Sequence, residues 1–464
     1  MRVARVQRDD VAAMGKTNRP GVTQRGHSLV VGLGATGLAT ARYLHERGVG
    51  VLVVDSRAAP PGLQALRERV PQLPVVLESL DPKWLEGAER LVLSPGLPVD
   101  LPLVREARRR GVPVVSDIDV FAAAAAAPVL AVTGSNGKST VATMLACVLR
   151  ARGLTALAGG NLGPPALELL REPRPDVYVL EISSFQLETT SLLEPLAAAV
   201  LNVSADHLDR HESLEHYAAL KARLLDAAER AIFNWDDPLV RAMGLRHVHG
   251  VPFSTRETLE KGFCVVVRDG RRWLARDLRP LMPADALRNA GTQGEANALA
   301  TLALAEPLGG SEAAAAAALG AFEGLPHRCR LVAEHAGVRF IDDSKGTNVG
   351  ATLAALTSLD GPIVLIAGGV GKGADFAPLA RAGRGKLKAA VLIGEAGGEL
   401  AAALTGVCPL VRAASMDEAV AVAKARAAAG DTVLLSPACA SQDMFTDYRQ
   451  RGEAFAAAVR EHTR

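Results

Sequence analysis

Val129-Leu130-Ala131-Val132-Thr133-Gly134-Ser135-Asn136-Gly137-Lys138-Ser139-Thr140 is the stretch on which the fold turns. Its first four residues have the length and apolar character of a buried strand, and the glycines that follow open a turn into an apolar helix expected from Val141. Gly134 and Gly137 expose backbone N–H groups, Lys138 offers a cation to the β- and γ-phosphates, and Ser139 or Thr140 offers a hydroxyl to Mg²⁺. Fewer residues separate the two glycines than in the common G-x-x-x-x-G-K-[ST] loop. Strand, glycines, lysine and paired hydroxyls in this order predict an ATP site formed by Gly134, Ser135, Asn136, Gly137, Lys138, Ser139 and Thr140.

Working outward, short runs rich in Val, Leu and Ile alternate with helical stretches along the whole chain, which predicts parallel sheets covered by helices on both faces. A first block has strands at 29–31, 51–54 and 91–93 and closes at the alanine tract 122–127. A second has strands at 129–132, 177–180 and 199–202 and a polar, strand-like section at 262–274. A third follows the Gly324-Leu325-Pro326 breaker, with strands at 339–342, 363–367, 390–393 and 432–436. The expected architecture is α/β in three domains: a Rossmann-like domain at 27–124, a central P-loop ATPase-type domain at 125–325 and a Rossmann-like C-terminal domain at 326–464. Residues 1–26 read as a disordered extension, because basic residues there lack the apolar centre of a signal peptide. The alanine tracts 122–127 and 313–318 read as helix.

Composition narrows the partners. A chain of 464 residues with a net charge of +2 and 22% charged residues has no global attraction for nucleic acid or anionic membranes. The apolar run 121–132, interrupted by Pro128, falls short of the ~20 residues a membrane helix needs. Five scattered cysteines, Cys147, Cys264, Cys329, Cys408 and Cys439, show no C-x-x-C spacing and read as buried thiols in a reducing compartment.

A second glycine loop, Gly32-Leu33-Gly34-Ala35-Thr36-Gly37, follows the first strand, and Asp55 ends the next. Such a loop suits a phosphate at a helix N-terminus, with Asp55 as acceptor for a ribose or a base. Taken alone it fits a nicotinamide dehydrogenase, or glycines that merely pack helix against strand.

The phosphate loop T-G-S-N-G-K-S-T, then Glu181-Ile182-Ser183-Ser184-Phe185-Gln186-Leu187-Glu188, then Asn202-Val203-Ser204-Ala205-Asp206-His207-Leu208-Asp209, resemble in order and spacing the Mur ligase family. The resemblance covers about residues 27 to 464. Asp343-Ser344-Lys345-Gly346-Thr347-Asn348, Leu325-Pro326-His327-Arg328, the 368–376 segment with Gly371-Lys372-Gly373, and Ser436-Pro437-Ala438-Cys439-Ala440-Ser441 are similar to the member that adds D-glutamate. What the resemblance implies is a cytoplasmic, monomeric ligase that transfers the γ-phosphoryl of ATP to the carboxylate of UDP-N-acetylmuramoyl-L-alanine. D-glutamate then attacks the acyl phosphate. The implied partners are small molecules, with neither nucleic acid nor membrane.

The resemblance also assigns residues. Lys138, Glu181, His207 and Lys221 become catalytic, with Ser139 and Glu181 on one Mg²⁺ ion and His207 with Lys221, as its carbamate, on a second. Arg328, Asp343 and Asn297 join the ATP site. The UDP-sugar falls to Gly34, Thr36, Gly37, Asp55, Ser56, Ser94, Asn161 and His207, and D-glutamate to Lys345, Thr347, Lys372, Ser441 and Tyr448. From residues alone, Glu181 is equally a solvated strand end, His207 an ordinary loop histidine, Lys221 an exposed helix lysine beside Arg223, and Lys372 a surface residue of a mobile glycine-rich loop.

Two departures stand out. The family's adenine-contacting G-x-H-N-x-x-N reads Gly291-Thr292-Gln293-Gly294-Glu295-Ala296-Asn297 here, which removes a side-chain amide and predicts weaker hold on the base. Arg330 stands where a glutamate is common. A dehydrogenase would leave the phosphate loop, Glu181 and the D-S-K-G-T-N segment unused. A regulatory nucleotide-binding module would leave Lys221 and the third block unused, and a Mur-type ligase of other amino-acid specificity would use all of them.

Overall fold

The computed structural model describes residues 26–161, 163–206, 208–288, 291–359 and 361–463. The expected extension lies almost entirely outside them, as does His207. Three sheets stand where three were expected.

The first contains β1 (His27–Val31), β2 (Gly50–Val54), β3 (Val75–Val76), β4 (Ala88–Leu93) and β5 (Val114–Val115), all parallel in the order β3-β2-β1-β4-β5. Strand order reverses beside β1, so the loop at Gly32–Gly37 opens at the carboxyl edge, where doubly wound sheets leave a crevice. A Cβ on Gly37 would fall 1.8 Å from the Gly32 carbonyl oxygen, so only glycine lets the helix Ala35–Glu46 start against the strand.

The central sheet contains β6 (Val129–Thr133), β7 (Ala156–Gly160), β8 (Val177–Glu181), β9 (Ala197–Val200), β10 (Arg230–Asn234), β11 (Val251–Ser254), β12 (Phe263–Arg268), β13 (Arg271–Arg276) and β14 (Arg279–Pro283). Its order is β14-β13-β12-β11-β10-β9-β6-β8-β7. It is parallel from β7 to β12, and then β12, β13 and β14 form an antiparallel meander. This corrects both the wholly parallel expectation and the single strand-like section at 262–274. Asp269, at φ 51, and Gly270, at φ 72, make the turn between β12 and β13, and one exposed strand surface accounts for the polar residues.

The third sheet contains β15 (Arg330–His335), β16 (Val338–Asp342), β17 (Ile363–Gly368), β18 (Leu387–Ile393), β19 (Leu410–Arg412) and β20 (Thr432–Leu435), in the order β15-β16-β20-β17-β18-β19. Only β15 runs antiparallel, to β16. Asp342 and Ile366 both pair with Leu435, so the loops after β16, β17 and β20 emerge together at one edge.

Three local expectations need correction. The alanine tract 122–127 is not a helix: the helix Asp117–Ala122, fixed at its start by a Ser116–Asp119 capping box, stops there. The following alanines are only partly covered and lead into Pro128, before which helical backbone is disfavoured. The 313–318 tract is helical, within Glu312–Ala321. Strand β9 ends at Val200, leaving Asn202 in a loop, and the helix after the phosphate loop starts at Lys138, three residues before Val141. Among the cysteines only Cys264 and Cys439 are buried, whereas Cys329 is exposed in the loop entering the third domain.

The domains are joined unequally. Val30, Leu33, Tyr43 and Val53 of the first share one apolar core with Ala131, Tyr178, Leu180 and Leu193 of the second. Phe121 packs edge-on to Tyr178 with ring centroids 5.1 Å apart. The Asp119 carboxylate accepts from the Ser191 and Leu192 amides, both at 2.7 Å. The third domain has its own cores on either face of its sheet. No described helix is long and apolar enough to cross a membrane.

Candidate active site

The phosphate loop lies between two strand ends. Val132 of β6 pairs with Glu181 of β8 on one side, and Thr133 pairs with Val200 of β9 on the other. Gly137, at φ 86, initiates the helix Lys138–Ala151, and a Cβ there would come within 2.8 Å of Asn297 Oδ1. The turn is thereby held against the helix Thr292–Ala305.

Cations crowd this point. Lys138 Nζ donates to the carbonyls of Gly134 at 2.7 Å and Ser135 at 2.9 Å. Lys221 Nζ donates to the same Gly134 carbonyl at 3.0 Å and lies 4.2 Å from the Tyr217 ring centre. Lys221 is 1% exposed, so the surface-lysine alternative does not hold. Burial, reinforced by Lys138, holds its ammonium well below the usual lysine range, and burial lowers Lys138 as well. Glu181 is 2% exposed, which also removes the solvated-strand-end alternative. Its Oε1 accepts from Asn161 Nδ2 at 2.6 Å, and its buried Oε2 has no hydrogen-bond partner among the described residues. A buried carboxylate oxygen left unpaired is costly, and it is a donor of the kind a hard divalent cation takes. Glu181 therefore fits a Mg²⁺ ion by the chemistry of its free oxygen.

The third domain closes over this edge. Arg328 Nη2 donates to Ser139 Oγ at 3.0 Å. Asn348 accepts from Asn136 Nδ2 at 3.2 Å and donates to Asp206 Oδ2 at 2.8 Å. Lys345 stands 3.7 Å from the Tyr448 ring centre. Burial together with Arg328 brings Lys345 down to about 8, with Glu181 and Lys138 also near enough to act on it. Asp343 accepts from Ser436 Oγ at 2.7 Å and from the Cys329 amide at 3.3 Å, and burial pushes its carboxyl up to about 7. Of the other expected D-glutamate residues, Ser441 is buried, Thr347 half-buried, and Lys372 exposed in a turn at φ 53.

Between the phosphate loop and the third domain lies a cavity of about 180 Å³. Asn202, Asn234, Asp237, Phe253, Gln293 and Asn297 line it, and Gly350 and Ala354 bound it from the third domain. Asn202, Asn234 and Asp237 were missed from sequence. Asn234 is the last residue of β10, and Asn202 and Asp237 follow strand ends, a position signal that marks an edge but not which loops converge. Asn202 Oδ1 accepts from the Asn136 amide at 2.8 Å, and Asp237 Oδ2 accepts from the Val203 amide at 2.8 Å. The altered segment keeps an amide in reach, since Gln293 Nε2 lies 3.3 Å from Asn297 Oδ1.

In the first domain, the helix Ala35–Glu46 has no side-chain cap at Gly34, so its N-terminal amides remain open to an anion. Ser94 Oγ donates to the Gly32 carbonyl at 3.0 Å, Thr36 is half-buried and Ser56 exposed. Asp55 is 2% exposed and turns inward, accepting from the Leu33 amide at 2.7 Å and from Arg57 Nε and Nη2 at 2.9 and 2.8 Å. A nucleotide contact there would run through Arg57 or displace it. Asn161 belongs, by its bond, to the Glu181 edge of the central domain.

A phosphate loop in a middle domain, a cation-rich cleft and a third domain reaching into it define a three-domain, nucleotide-using synthetic enzyme. The family models for the MurD-like N-terminal domain of Mur ligases, the Mur ligase middle domain and the Mur ligase glutamate ligase domain match residues 26–116, 132–276 and 327–439. The chain belongs to the Mur ligase family, whose members are ATP-dependent ligases. It is 49% identical to the UDP-N-acetylmuramoylalanine–D-glutamate ligase of Nitrosococcus oceani, over 94% of this chain and 96% of that one. It is 45% identical to the enzyme of that name from Pseudomonas aeruginosa, over 93% and 97%. In fold it is similar to the UDP-N-acetylmuramate-alanine ligase of Thermotoga maritima, with a TM-score of 0.59 and 18% identity over 94% of this chain and 100% of that one.

Proposed function

We propose that the protein joins D-glutamate to UDP-N-acetylmuramoyl-L-alanine, converting ATP to ADP and phosphate through an acyl phosphate, in peptidoglycan precursor synthesis. The observation that carries the reading is the meeting of Lys138 and Glu181 from the middle domain with Arg328 and Lys345 from the third, in a chain nearly half identical to ligases of that name.

Phosphoryl transfer needs positioning and neutralised charge more than covalent help. Gly134 to Thr140 cradle the phosphates, Lys138 and Arg328 offset their charge, and the cavity at Asn234, Gln293 and Asn297 takes the base. Mg²⁺ on Ser139 and Glu181 supplies a Lewis acid for the phosphate oxygens when bound. The low-lying amine of Lys221 is the form that adds CO₂, and its carbamate, with His207, would hold a second ion. The Gly34–Gly37 loop holds the UDP diphosphate. Lys345, Thr347, Lys372, Ser441 and Tyr448 receive the amino acid, whose two carboxylates call for cations and hydroxyls. The reading places the enzyme in the cytoplasm as a monomer.

A phosphate-release assay with ATP, Mg²⁺, UDP-N-acetylmuramoyl-L-alanine and a panel of amino acids tests this. Release with D-glutamate and none with L-glutamate, lysine or diaminopimelate is expected. Release with another panel member would reassign the amino acid, and none with any member would remove the reading.

A further inference from the structure

The largest side chain in the molecule that is almost completely buried is a charged one. Arg451, in the first turn of the helix Tyr448–His462, is 1% exposed. Among the described residues it makes no ion pair. Every bond it forms goes to a neutral oxygen: Nε to Ser344 Oγ at 3.1 Å, Nη2 to the carbonyls of Ser344 at 2.8 Å and Cys439 at 3.2 Å, and Nη1 to the carbonyls of Cys439 at 3.1 Å, Ala440 at 3.3 Å and Gly368 at 3.5 Å. Ser344 Oγ in turn donates to the Tyr448 carbonyl at 2.8 Å.

Those acceptors lie on the three loops that leave the third sheet at one edge. Ser344 precedes Lys345, Ala440 precedes Ser441, and Gly368 ends the strand whose following turn carries Lys372. Tyr448 is one turn of helix before Arg451 itself. One planar fork therefore fastens all the segments that carry the proposed amino-acid contacts. Burial brings the pKa of its guanidinium down only to about 10, so it stays cationic at neutral pH. Neutral carbonyls solvate that charge, and Asp443, Asp342 and Asp343 lie near enough to favour it.

We infer that Arg451 is the positioning residue of the acidic amino-acid site: it sets the loops around Lys345 and Ser441. This rests on the function proposed above. Arg451 touches no substrate, and its effect is carried through the backbone it holds.

The test measures KM for each of the three substrates, and kcat, in full-length Arg451→Lys and Arg451→Gln, with Ser344→Ala as a milder variant that keeps the buried cation. Wild-type enzyme is run first on the amino-acid panel, so failure of the functional reading shows there. The variants are then titrated with whichever amino acid wild type uses. Lysine keeps the charge and loses the fork. Expected are a rise in amino-acid KM of about tenfold for Arg451→Lys, more for Arg451→Gln and about threefold for Ser344→Ala. KM for ATP and for the UDP-substrate should stay within about twofold of wild type. Should the Arg451 variants fail to fold, Ser344→Ala decides alone. Equal shifts in all three KM values, or an unchanged amino-acid KM in every folded variant, would overturn the inference.

Discussion

Glu181 shows what a single residue reveals only when its neighbours are known. Its place at a strand end was readable, but its unpartnered Oε2 was not, because burial and pairing are set by Asn161, twenty residues earlier. Glu181→Gln keeps the size and removes the charge, and it should lower kcat on the order of 100-fold and raise the Mg²⁺ needed for half-activity; a Mg²⁺ titration of phosphate release checks both. Lys221→Ala should fall by a similar factor, with part of the loss restored by formate or acetate supplied as a stand-in carboxylate. Lys345 gives a pH signature. Its cation is present below about 8 and lost above, so KM for the amino acid should rise as pH climbs past that value. Lys345→Arg, always charged, should flatten that profile. The phosphate loop was legible because its chemistry is local. Arg451 was not, since nothing in Tyr-Arg-Gln-Arg-Gly says which arginine turns inward.

At the scale of elements, the alternation of strands and helices located the strands around the middle of each sheet, because apolar runs buried on both faces carry their own signal, but not β3, β5, β7, β10, β11, β14, β15 or β19. The meander β12–β14 and the short helix Asp117–Ala122 were misread because their shape depends on turn backbone and on a neighbouring proline. That helix holds Asp117, buried between domains with Oδ1 unpartnered among the described residues and Oδ2 accepting from Gln186 Nε2 at 3.3 Å. Burial pushes its carboxyl up to about 7. Folded protein keeps this proton to about pH 7, whereas the unfolded chain gives it up near pH 4, so this group makes stability fall as pH rises between those values. Asp117→Asn has no such charge. Its loss of unfolding free energy from pH 5 to pH 8 should be smaller than wild type's by about 2–3 kcal/mol, read by urea denaturation. Phe121→Ala, which empties the contact with Tyr178, should cost about 3–5 kcal/mol at either pH.

Across the whole molecule, three domains could be counted in sequence, but not how they are joined. A shared apolar core binds the first to the second, while the third meets the second through Arg328, Asn348 and the close approach of Gly350. A Cβ on Gly350 would sit 2.5 Å from Ser204 Oγ. Gly350→Val should therefore wedge the cleft apart: small-angle scattering should give a larger radius of gyration, and activity should fall on the order of 100-fold through misplacement of the reacting groups.

That narrow polar seam has a thermodynamic side. On the proposed function, nucleotide and amino acid are held mainly by different domains, yet each rewards the same approach of the two. Whatever factor ATP lends to the affinity of the amino acid must be returned to ATP in equal measure. On the same reading the products face this linkage in reverse, so the departure of ADP favours the reopening of the seam.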